Sequence, residues 1–69
     1  MIYVFKTSVK YKTQVKNQGL HIEKMLPGTK WNFDLDDCDK ILRIDSDRDI
    51  VIPIIILLKN HQFICEELK

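Results

Sequence analysis

The segment Ile50-Val51-Ile52-Pro53-Ile54-Ile55-Ile56-Leu57-Leu58 runs nine residues without a polar side chain. Its β-branched content alone suits a buried strand. Pro53 argues against a central strand, because proline has no N–H to give the ladder. In a helix starting near Asp49 or Ile50, Pro53 falls in the first turn, where its missing N–H would have no intrahelical partner. The segment therefore reads as a helix ending near Asn60. A helix packed on a sheet needs only one apolar stripe, which Ile50, Ile54 and Leu57 supply. Val51, Ile52, Ile55, Ile56 and Leu58 are then in excess, and some of them face outward. An exposed apolar patch on a small protein marks an interface. These five are the candidate interface residues. A homodimer through this helix is the simplest version, because self-association closes by symmetry, and another protein is the alternative partner.

The rest of the chain supplies a sheet for that helix. Ile2 to Thr7 alternates and is rich in β-formers, with Tyr3, Phe5 and Thr7 on one face. A first helix is expected from about Thr13 to Leu26, with Val15, Gly19, Ile22 and Leu26 forming its stripe. Glycine on that stripe costs helix stability and implies close packing on the sheet. Pro27-Gly28 ends the helix. Trp31, Phe33 and Leu35 alternate with Asn32, Asp34 and Asp36 as a half-buried strand, and Ile41 to Ile44 is a second, joined to it by an acidic turn. Ser46 and Asp49 have capping-box spacing ahead of the second helix. Gln62 to Glu66 is a last strand, with Phe63 and Cys65 inward. The 69 residues make one domain, 1–69. Its order is βαββαβ, a ferredoxin-like α+β fold: a four-stranded antiparallel sheet with two helices on one face.

Leu26-Pro27-Gly28, Phe33-Asp34-Leu35 and Lys59-Asn60-His61-Gln62-Phe63 follow one another in an order and spacing similar to heavy-metal-associated (HMA) domains. That family includes copper chaperones and the N-terminal modules of copper-transporting ATPases. The resemblance covers nearly the whole chain. In the family, the first strand leads into a Met-x-Cys-x-x-Cys loop that holds the metal. Here that loop is Val9-Lys10-Tyr11-Lys12-Thr13-Gln14. Val9 stands in place of the methionine, and Tyr11 and Gln14 stand in place of the two cysteines. Thiolates select Cu(I), and neither a phenol nor an amide replaces them. Lys10 and Lys12 further repel a cation. The chain resembles a degenerate HMA domain that has lost copper transfer, and no cofactor is expected. The resemblance leaves a second reading open, in which the chain keeps a metal-related role by binding metal at another site or by docking on a transporter or chaperone.

Cys38 and His61, with Tyr11, Asp36, Asp37 and Asp39, are expected at the end of the fold that carries the first loop. They are weak candidates for a Cys–His–Asp site, because their spacing resembles no known zinc pattern. Asp45-x-Asp47-x-Asp49 opens like a calcium loop, but Ile50 replaces the required glycine and Ile56 the closing glutamate, so helix capping explains it. Residues 1–33 carry +5 and residues 34–69 carry −4, within a net charge of +1. Lys10-Tyr11-Lys12 is a possible second contact surface. Base-stacking on the open sheet face is not expected, because the third strand lacks an aromatic and Tyr3 and Phe5 point inward. Nucleic-acid binding is therefore disfavoured. No arrangement of His with Ser or Cys suggests catalysis, so an enzyme is not expected. His21 reads as a surface residue. The N-terminus shows no signal-peptide h-region, no segment is long enough to cross a membrane, and two cysteines make no disulfide framework. A reducing, cytoplasmic setting is the expectation.

Overall fold

The computed structural model describes residues 1–36 and 38–68. Six elements follow in the expected order: β1 (Ile2–Thr7), α1 (Lys12–Met25), β2 (Lys30–Asp34), β3 (Ile41–Asp45), α2 (Val51–Asn60) and β4 (Cys65–Leu68). The strands form one antiparallel sheet in the order β2-β3-β1-β4. This is the ferredoxin-like α+β arrangement. Phe5 of β1 pairs with Leu42 of β3, which pairs with Phe33 of β2. Because side chains alternate along a strand, Tyr3, Phe5, Trp31, Phe33, Leu42 and Ile44 share one face.

Both helices cover that face. The core joins Phe5, Leu42 and Ile44 from the sheet to Ile22 and Leu26 near the end of α1 and to Ile50, Ile54 and Leu58 along α2, with Val9 from the first loop. Ile41 is buried on the opposite face, where the register sets it between Lys6 and Asp34.

Gly19 brings α1 directly onto the Trp31 ring. A β-carbon there would lie 2.2 Å from Cη2 of Trp31, so the ring occupies the space that any other residue would fill. The stripe containing Gly19 is thus a seat for one aromatic ring. Gly28 has φ +79° and reverses the chain after α1, with the Thr29 N–H bonded to the Leu26 carbonyl at 3.1 Å.

Several expected boundaries shift, and the starts of α2 and β4 do so for a local reason. α2 begins at Val51 without the Ser46–Asp49 capping box. The Ser46 hydroxyl instead accepts the Arg48 N–H at 3.1 Å, and the Asp49 carboxylate accepts the Val51 N–H at 3.2 Å. β4 begins at Cys65 because Gln62 and Phe63 are used to close α2. The Gln62 N–H bonds the Lys59 carbonyl and the Phe63 N–H bonds the Leu58 carbonyl. Gln62 has φ +70°. This is a Schellman ending with glutamine where glycine is usual. β2 stops at Asp34, with Leu35 still packed against the core.

Candidate functional site

The loop holding Val9, Tyr11 and Gln14 is built as a helix cap. Val9 is fully buried in the core, and its N–H is accepted by the Thr7 hydroxyl at 3.2 Å. That hydroxyl in turn donates to the Lys40 carbonyl at 2.7 Å, tying the loop to the hairpin before β3. Gln14 reaches back over the start of α1. Its Oε1 accepts the N–H groups of Lys10 at 2.9 Å and Tyr11 at 3.1 Å. These satisfy two backbone donors ahead of the helix, as the glutamine half of a capping box does. Tyr11 points to solvent. Gln14 therefore has a structural task in this chain.

Cys38 is exposed in the β2–β3 turn. Asp37 lies outside the described residues. His61 turns toward α1. Its ring lies 4.4 Å from the ring of His21, tilted by 35°, and its Nδ1–H donates to Oε1 of the buried Gln18 at 3.2 Å. His21 is therefore half-buried against His61, which corrects its reading as a surface residue. Helical periodicity within α1 gave no sign of this, because the pairing depends on where α2 ends. Among the described residues, no three His, Cys, Asp or Glu side chains come together as metal ligands.

Cys65 lies on the inner face, opposite Thr7 in the register. Burial pushes its thiol up from 9.0 to about 12, which keeps it protonated and a poor nucleophile. With β2 and β4 at opposite edges of the sheet, Cys38 and Cys65 are both unpaired thiols.

The five apolar residues singled out on α2 divide into three groups. Leu58 is fully buried, so its place in an interface is overturned. Val51 and Ile55 are half-buried and pack against the core. Ile52 and Ile56 are 63% and 51% exposed. Helix geometry explains this division. At about 100° per residue, the buried face centres on Ile54, with Ile50 and Leu58 roughly 40° to either side. Leu57 sits farther round, at roughly 60°, and is half-buried rather than central. Ile52 and Ile56 are each about 160° from the centre, the farthest positions available.

No helix among the described residues is long and apolar enough to cross a membrane. Comparison with protein families, curated proteins and solved structures found no match to this chain.

Proposed function

We propose that this chain is a small non-catalytic module, a degenerate relative of heavy-metal-associated domains, that acts by protein association through α2. The observation that carries this reading is the outward placement of Ile52 and Ile56, four residues apart on one helix face and bordered by half-buried Val51 and Ile55. Side chains of this kind gain free energy when a partner removes them from water. A second copy is the simplest occupant, because one patch then meets itself across a two-fold axis. The metal loop's conversion into a helix cap supports the loss of copper transfer in the same reading.

Sedimentation equilibrium of the natural chain and of Ile52→Asp/Ile56→Asp tests the proposal. Both positions are exposed, so the double variant is expected to fold. Weaker association in the variant supports the α2 contact. A natural chain that stays monomeric at high concentration, or a variant that associates as strongly as the natural chain, sinks the proposal.

A further inference from the structure

The two edges of the sheet differ in what they offer a second strand. β2 lies at one end and β4 at the other. Only β3 pairs with β2, and among the described residues no other backbone group bonds to Lys30–Asp34. The outer side of β2 is thus an unpaired row of N–H and C=O groups, a template for another strand. β4 reads Cys65-Glu66-Glu67-Leu68, and its adjacent glutamates set like charges side by side if the strand meets its own copy. β2 has no such guard.

β2 reads Lys30-Trp31-Asn32-Phe33-Asp34. Its two ends carry opposite charges, its second and fourth residues are aromatic, and its centre is neutral. An antiparallel meeting of two copies about Asn32 sets Lys30 against Asp34 of the second copy, and Trp31 against Phe33 of the second copy. Symmetry produces each pair twice. The alternation is preserved, with charges on the open face and rings on the helix face. The rings have room there. Lys12 and Val15 of α1 and Phe33 and Leu35 border an open groove of about 360 Å³ beside the edge. Asp34 uses Oδ2 in its exposed 3.6 Å ion pair with Arg43, which leaves Oδ1 for the incoming lysine. Lys30 makes no ion pair among the described residues.

We propose that the β2 edge is a self-pairing surface, on which two copies join antiparallel about Asn32 into one continuous sheet. This goes beyond the α2 reading and does not depend on it. α1 sits over β2 through Gly19 and Trp31, while α2 packs toward β4. Pairing at β2 therefore leaves Ile52 and Ile56 uncovered.

The test is sedimentation equilibrium at low salt, with circular dichroism to confirm folding. It uses the natural chain, Lys30→Glu, Asp34→Lys, and the double exchange Lys30→Asp/Asp34→Lys. Each is also made in the Ile52→Asp/Ile56→Asp background. With the natural edge, dimers are expected in the Ile52→Asp/Ile56→Asp background, and in the natural background the α2 contact should join such dimers into larger assemblies. Each single reversal turns two attractive pairs repulsive, so its self-association should weaken by about ten-fold or more. An equimolar mixture of the two single reversals should form the heterodimer, and the double exchange should restore the homodimer. Monomers throughout, dimers indifferent to charge, or a mixture without heterodimer would each overturn the pairing. A dimer that disappears in the Ile52→Asp/Ile56→Asp background also overturns it, and leaves the α2 reading standing.

Discussion

Gly19 and Trp31 act as one unit. Gly19→Ala would add about 1 kcal/mol of intrinsic helix stability. The new methyl would also displace the Trp31 ring, whose Cη2 stands 2.2 Å from the β-carbon position. Overpacking of this kind typically costs about 1–3 kcal/mol, so Gly19→Ala should lower the urea midpoint. Removing the ring as well, with Trp31→Leu, should recover part of the helix gain, and a double-mutant cycle reads the coupling. Gln62 presents the opposite case. A side chain held at φ +70° is strained, and Gln62→Gly should stabilise the chain by roughly 0.5–1 kcal/mol in the same assay. The Cys65 thiol gives a pH-dependent term of known sign. Its folded pKa is raised, so its contribution is fully present below pH 9, fades as the pH rises, and is lost by about pH 12. The natural chain should therefore lose more stability over that interval than Cys65→Ala. At pH 8 an alkylating reagent should label exposed Cys38 quickly and Cys65 only on unfolding.

The elements of the fold were legible in the sequence wherever one periodicity ran without competition. β1 matches its reading residue for residue, because Ile2 to Thr7 alternates between two clear turns of environment. Pro53 identified α2 as a helix despite its isoleucines, and it sits in the first turn as required. Which face of α2 would be buried was harder to read, since every position from Ile50 to Leu58 is apolar and composition gives no direction. Leu58 therefore joins the buried face while Leu57 stays at its margin, decided by the centring of that face on Ile54. The start of β4 was misplaced because the Schellman ending has no glycine to announce it. The α1 cap is hidden for a similar reason: the residue type gives no sign that the Gln14 amide serves the Lys10 and Tyr11 backbone. Gln14→Ala should cost about 0.5–2 kcal/mol through the unsatisfied Lys10 and Tyr11 donors. Hydrogen exchange should speed up first at those two amides. Gln14→Glu, which keeps the acceptor, should retain most of the stability.

At the scale of the molecule, one face of the sheet carries all the aromatic residues of the strands and packs against the helices, and the other is lined mainly by polar groups. Lys6 and Asp39 at 3.7 Å and Arg43 and Asp34 at 3.6 Å are exposed pairs of small individual worth. Native mass spectrometry of the reduced protein with Cu(I) and with Zn(II) is expected to show no stoichiometric uptake. Tight binding of one metal would return the chain to a metal-related role and make Cys38 and His61 the first residues to replace. α1 over β2 and α2 toward β4 put the two proposed contacts on separate flanks, so changes to one should add to changes in the other. Trp31 is the chain's single tryptophan, and it touches three of these matters at once. It rests on Gly19, meets Phe33 edge-on at 6.0 Å, and stands in the strand at the end of the sheet. Its intrinsic fluorescence is thus a built-in gauge: emission shifts to the red as α1 lifts from the sheet, and to the blue as anything covers the β2 edge.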